Sequence, residues 1–475
     1  MDRSTLVAIG ALVVVGVVIG GVLVFALQPS STVATTRPPA SFASEPFPAV
    51  WQVNVTGTPY GALIENGTII LLTYGNATAT PPPFGPNYPW NLLGVRASSG
   101  EVEWSHQILV RNQGNSDPQL AMARGTVYFV QAGGSLALDS ANVSMVPALY
   151  ALGFDPLDGK KVSLALAPTP AAFFYGTYSL VGSTAYLAWP TWNGAISTVT
   201  VESVDLLGVT TAKVLWTQSF PSGGGHTNLD TFLVDSQYVV VPFGGLYVLN
   251  AQTGSFLYNS SVPSSELYND ANGALVGGVY YFASEWAETV SPETVQLDLL
   301  GLGLANQTIA VNVTVATETS FSGPMEVAAV SGSLVVPWSP PVAVVPGASA
   351  TVPFSVYSEN GSLLWSSAGR LFSVGAGGPS IFLGLPCASL GAGVWLLGSL
   401  SIPSGGEKVA TLYFESVDQF NGSLIWTDVF SFSSTLNTTM LDPPNMEAPP
   451  SVVPLSTSGT LLLYRWGGAV GYAEL

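Results

Sequence analysis

The sequence predicts an all-β fold: an eight-bladed β-propeller, with seven as the alternative blade count, preceded by an N-terminal transmembrane helix. Three observations predict it. A Gly followed four residues later by an aromatic recurs as Gly100/Trp104, Gly254/Tyr258, Gly361/Trp365 and Gly422/Trp426, with looser copies ending at Trp51, near Ser163, at Trp216 and near Ala310. These positions are about 54 residues apart, a period that marks a solenoid or a propeller. A turn followed by a short apolar run also occurs eight times, from "NGTIILLTY" at Asn66 to "SGTLLLYRW" at Ser458, and such runs read as strands. Finally, charged residues are 8% of the chain, beside 51 Gly and 35 Pro, where an ordinary soluble domain carries about 25% charge.

The elements follow in order. Residues 1–5 form a short cytoplasmic end, and Leu6 to Leu27 hold 22 residues without a charge. At about 1.5 Å rise per residue they reach roughly 33 Å, enough to cross a bilayer. That length exceeds the apolar core of about 7 to 15 residues in a cleaved signal peptide, so the helix is read as an uncleaved anchor. Arg3 precedes it, which places the bulk of the chain outside the cell membrane as a single-pass protein. Residues 28–46, rich in Ser, Thr and Pro, cannot build a core and make an extended stalk. Residues 47–475 form the propeller. "VWQVNVTG" from Val50 reads as a last strand without a blade, and "GTLLLYRWGGAVGYAEL" as a blade without its last strand, so joining them closes the ring.

Asn-x-Ser/Thr occurs at Asn54, Asn66, Asn76, Asn142, Asn259, Asn306, Asn312, Asn360, Asn421 and Asn437. Chance would supply roughly four such acceptors, and a glycosylated, extracytoplasmic chain explains the excess. Cys387 is the single cysteine, so no internal disulfide forms. The net charge of −18, from 29 acidic and 11 basic residues, leaves no basic face for nucleic acid.

The turns resemble those of the pyrroloquinoline-quinone-like repeat family, whose blades carry Asp-x-x-Thr-Gly-x-x-x-Trp. Here the pattern reads "NAQTGSFLY" at Asn250, "DQFNGSLIW" at Asp418 and, more degenerate, "ASSGEVEW" at Ala97. The resemblance implies a propeller in which the repeated Trp packs one blade on the next. It also raises a quinoprotein dehydrogenase, whose quinone rests near an adjacent-cysteine disulfide, with calcium held by acidic and amide groups and an Arg beside it. One cysteine and seven arginines depart from that pattern. Pyrroloquinoline quinone and calcium are therefore not expected, and the chain reads as a noncatalytic, membrane-anchored member.

Long insertions, "GNATATPPPFGPNYPW" from Gly75, "QAGGSLALDSANVSMVP" from Gln131, "SPPVAVVPGASATVP" from Ser339 and the stretch from Gly467, all follow the second strand of their blades. They should elaborate one loop face, where binding sites concentrate. Aromatics close the second strand at Tyr74, Trp189, Phe243, Trp286, Trp338 and Trp466, with Glu285, His226 and Asp230 nearby. They form either a stacking ring for a glycan or peptide or, as the favoured reading, packing between blades. His106 and His226 are the only histidines and form no metal motif. The sequence thus reads as an extracytoplasmic binding or scaffold module, with a protein or glycan partner at the loop face and the style of an archaeal cell-surface protein. The competing readings are a propeller enzyme and a structural subunit of a surface layer or filament.

Overall fold

The computed structural model describes residues 49–474 outside the segments 56–57, 75–86, 112–117, 140, 145–147, 171–175, 194–195, 209–210, 223–231, 243–245, 261–272, 289–293, 319–326, 331, 338–348, 374–386, 390–393, 402–409, 433–450, 457–458 and 464–468. The described residues contain 34 strands and no helix, in eight antiparallel sheets. Sheet 1 holds Thr58–Glu65, Thr68–Tyr74, Asn87–Arg96 and Val102–Arg111. Sheets 2 to 7 repeat this four-stranded meander over 119–168, 177–222, 233–260, 274–318, 328–373 and 387–432. Sheet 8 joins Ser451–Ser456, Gly459–Leu463 and Ala469–Glu474 to an outer strand, Ala49–Asn54, from the other end of the repeat.

The first strands of successive sheets lie side by side, and Ser451–Ser456 of sheet 8 meets Thr58–Glu65 of sheet 1. Between sheets 2 and 3 the link is a hydrogen bond from Gln119 Nε2 to the Tyr178 carbonyl, 3.2 Å. Radial repetition that returns to its start is a β-propeller. Its core lies between sheets rather than within any one of them. Ile70, Leu72 and Trp90 of sheet 1 pack with Phe129, Tyr150 and Leu152 of sheet 2. Val199, Val201 and Phe220 of sheet 3 likewise pack with Val239, Val241 and Leu249 of sheet 4. Val, Leu and Tyr suit this layout because a pleated strand can bury both of its faces between neighbours.

The turn entering the outer strand shows why the repeat needs its Gly. In sheet 2 the Gly159 N–H donates to the Asp155 carbonyl at 2.9 Å, while Asp155 Oδ1 accepts the Leu157 N–H at 2.9 Å. Gly159 takes φ +70°, a left-handed conformation that a Cβ disfavours. A Cβ there would also stand 2.5 Å from the Trp104 ring of sheet 1. Gly422 meets the Trp365 ring in the same way, again at 2.5 Å.

Just before the aromatic position, the outer strand slips by one residue against its partner in each of sheets 1 to 7: between Val102 and Trp104, Lys161 and Ser163, Val214 and Trp216, Phe256 and Tyr258, Ile309 and Val311, Leu363 and Trp365, and Leu424 and Trp426. These are β-bulges, which twist an edge and make it a poor template for another chain. In sheet 5 they place Val311, one residue beyond the sequence expectation, at the aromatic position. The insertion from Gln131 departs from the expected loop face. Its strands Ser135–Leu138 and Ala141–Ser144 cross to sheet 1 and pair along Val102–Arg111, making that sheet six-stranded. Pairing the open N–H and C=O groups of an edge strand accounts for this path.

Candidate functional site

The chemistry-bearing side chains gather where one sheet meets the next, on the side of the turns entering the outer strands. Trp indole N–H groups donate across the junctions: Trp51 to the Ala97 carbonyl (2.6 Å), Trp104 to Pro156 (3.0 Å), Trp216 to Ala251 (2.9 Å) and Trp365 to Gln419 (2.8 Å). Each acceptor lies three residues before the turn glycine, so a single ring both packs on the Gly and satisfies a turn carbonyl. The implied structural role of the repeated Trp holds at these four junctions.

Where the repeat lacks a Trp, other residues fasten the junction. Ser163 stands at the aromatic position of sheet 2, and there Arg124 donates to the Gly208 carbonyl (2.9 Å) while Tyr128 OH accepts the Gly208 N–H (3.0 Å). Val311 stands there in sheet 5, and Tyr281 OH donates to the Glu359 carbonyl of sheet 6 (2.7 Å). Between sheets 4 and 5, Gln307 Nε2 donates to the Leu257 carbonyl (3.1 Å). Burial, with the Glu359 charge as a smaller cause, raises the Tyr281 phenol above its usual range and keeps it a donor.

His106 is the one described histidine. Its Nδ1 lies 2.7 Å from Asp139 Oδ2 and its Nε2 lies 2.7 Å from the Gly159 carbonyl. Both ring nitrogens thus face an oxygen. Asp139 adopts φ +47° at the tip of the inserted hairpin, and its Oδ1 accepts the Gln107 N–H at 2.9 Å. The ring sits beside Phe154 and Trp104, with centroids 5.1 and 5.9 Å away. His106 therefore fastens the hairpin to sheet 1 and to the turn of sheet 2. Neither ring nitrogen is left to act as a base or a metal ligand while that fastening holds. Among the described residues no group of three His, Cys, Asp or Glu gathers as a metal site would require.

Glu202 of sheet 3 is half-buried, and burial raises its carboxyl above the usual range, opposed by a hydrogen bond from Thr217. The folded chain then holds the Glu202 proton more tightly than the unfolded chain, so ionising this carboxyl on raising the pH costs stability. Glu202→Gln should raise the melting temperature at pH 7 by about 1 °C. The gain should vanish as pH falls below about 4, where the carboxyl is protonated in both states. An equal gain at every pH would trace it to packing instead.

The loop-face aromatics are only partly placed. Trp189 is 8% exposed and packs with Tyr128, Val130 and Leu187 between sheets 2 and 3, the environment of a packing residue. Tyr74 pairs with Trp90, Glu285 with Leu297 and Trp286 with Gln296, on the second strands of sheets 1 and 5. Phe243, Trp338, Trp466, His226 and Asp230 lie outside the described residues. The structure thus brings together a set that sequence reasoning did not select: His106, Asp139 and the turn of sheet 2. No local motif marks it, because 33 positions separate the two side chains.

No protein-family model and no curated protein matches the chain. Solved structures do. BamB from Moraxella catarrhalis is 10% identical with a TM-score of 0.45, covering 90% of this chain and 100% of its own. Rhamnogalacturonan lyase YesW is 10% identical with a TM-score of 0.40, covering 89% and 72%. Sqt1 from Chaetomium thermophilum is 12% identical with a TM-score of 0.40, covering 90% and 98%.

Proposed function

We propose that the chain is a noncatalytic, eight-bladed propeller, held at the cell membrane by residues 6–27 and displayed outside the cell as an N-glycosylated binding or scaffold module. The observation that carries this reading is how the polar groups are spent. The repeated Trp, the substituting Arg124, Tyr128 and Tyr281, and His106 through the Gly159 carbonyl all fasten one sheet to another. Such a ring is a rigid frame, and rigid frames present loops to partners. Surface display fits the acceptor asparagines: Asn66, Asn306, Asn312, Asn360 and Asn421, whose side chains are described, are all exposed. Neither quinone nor calcium belongs to this reading, and the partner is a protein or a glycan met at the loop face.

Protein from its own membrane tests the proposal. It should sediment with membranes, be degraded by protease added to intact cells, show no quinone absorbance and exceed its polypeptide mass of 49.3 kDa. A stoichiometric quinone or metal would make it an enzyme. Protection from external protease would reverse its orientation.

A further inference from the structure

We propose that Asn306, Asn360 and Asn421 are a matched set of glycan acceptors, held at one turn position of three consecutive sheets, so that sheets 5 to 7 carry a saccharide-covered arc on the turn side of the ring. The inference rests on the extracytoplasmic reading and adds which sequons are used. Asn360 and Asn421 immediately precede the turn glycines Gly361 and Gly422. Sheet 5 has no glycine there, but Gln307 takes φ +56° in its place and its N–H donates to the Gly303 carbonyl at 2.8 Å. Asn306 therefore occupies the same position, an equivalence that the letters "NQT" do not reveal.

The three turns share one side-chain hydrogen bond. Asn306 Oδ1 accepts the Thr308 N–H (3.3 Å), Asn360 Oδ1 the Ser362 N–H (3.1 Å) and Asn421 Oδ1 the Ser423 N–H (2.8 Å). In sheets 1, 2 and 4 the corresponding residues, Ser99, Asp158 and Thr253, accept the same i+2 amide with their own side-chain oxygens. The turn thus requires a short acceptor side chain, and any of Ser, Asp, Thr or Asn supplies it. Only in sheets 5 to 7 is the choice Asn followed by a hydroxyl residue. Found among the described residues, every hydrogen bond of these three amides uses Oδ1, which leaves Nδ2, the atom that would bond to the sugar, uncommitted. The partner hydroxyl residues Thr308, Ser362 and Ser423 are exposed as well.

Two other described sequons differ. Thr68, the hydroxyl residue paired with Asn66, is 3% exposed. Asn312 and Thr314 lie within the ladder of sheet 5, opposite Leu300 and Asp298, and Thr314 Oγ1 already accepts from Gln296 at 3.0 Å. A transferase must bind the Asn and the hydroxyl of a sequon together. On the folded chain it finds both in an exposed turn at Asn306, Asn360 and Asn421, whereas beside Asn66 the Thr68 hydroxyl is buried, and Asn312 and Thr314, though exposed, are fixed in a strand ladder. Glycans on the three turns would close this arc to a protein partner and leave sheets 1 to 4 open on that side.

Site mapping by mass spectrometry of full-length protein from its native membrane tests the assignment. Glycans are expected on Asn306, Asn360 and Asn421, with Asn66 and Asn312 bare, and Ser423→Ala should remove one glycan while leaving the melting temperature unchanged. Comparable occupancy at Asn66 or Asn312, or glycans only on other sequons, would overturn the matched set while leaving a glycosylated protein. A chain bare at all ten sequons would overturn the glycosylated display reading itself.

Discussion

Trp104→Ala is expected to lower the free energy of unfolding by about 3–5 kcal/mol, the cost of emptying a buried aromatic site. The ring is 9% exposed and belongs to the cluster joining sheets 1 and 2. Its loss also strands the Pro156 carbonyl, which accepts the indole N–H at 3.0 Å, and opens a void against Gly159. Trp104→Phe would keep much of the apolar area and lose the donor, so a smaller cost of about 1–2 kcal/mol is expected. Leu157→Ala, two residues before Gly159 and 58% exposed, supplies the control, and a surface change of that kind should stay within about 0.5 kcal/mol. Denaturant unfolding of the three variants ranks them. A loss below about 1 kcal/mol for Trp104→Ala would mean that the junction is held by its neighbours rather than by the lock.

These locks show which parts of the fold were legible in the sequence. Gly-x-x-x-Trp was visible because one ring serves two demands, covering a glycine and donating to a carbonyl, from a fixed place in the repeat. Where the fastening moves to another place the pattern fades: at sheet 3 Arg124 covers Gly208 and donates to its carbonyl while Tyr128 accepts its N–H, and these two residues sit in another turn and strand. The aromatic position of sheet 5 escaped the sequence by one residue because a Gln, not a Gly, takes the left-handed turn. The inserted hairpin escaped it for a different reason. "GGSLALDSANVS" alternates like any strand pair, but which sheet edge it joins depends on where an unpaired strand lies in space. Trp189 and the other strand-end aromatics have no spacing that separates a stacking surface from a packing one, since both require a large ring on an alternating strand.

Deleting residues 49–54 should be more damaging than any single lock substitution. That strand supplies the outer edge of sheet 8, with Ala49 opposite Ala473 and Asn54 opposite Ala469. It also carries Trp51, which donates to the Ala97 carbonyl of sheet 1 at 2.6 Å and covers Gly100. Its removal takes away a ladder, a lock and the apolar contacts of Trp51 and Val53 with Ile69 and Val95. It also leaves Ala469–Glu474 as an open edge, a template for other chains. We expect a melting temperature at least about 4 °C lower, since the loss exceeds the roughly 4 kcal/mol of one lock and the unfolding entropy of a domain this large gives about 1 °C per kcal/mol, together with concentration-dependent association. A synthetic peptide covering residues 47–56 should restore much of the lost stability by adding back the missing strand, since edge pairing supplies affinity through main-chain hydrogen bonds. A peptide in which Trp51 is replaced by Ala should restore less, because it rebuilds the ladder without the lock. If the deletion melts like the intact chain, sheet 8 does not depend on the strand and the ring is closed by other contacts. If both peptides rescue equally, closure rests on backbone pairing alone and the Trp51 lock is dispensable.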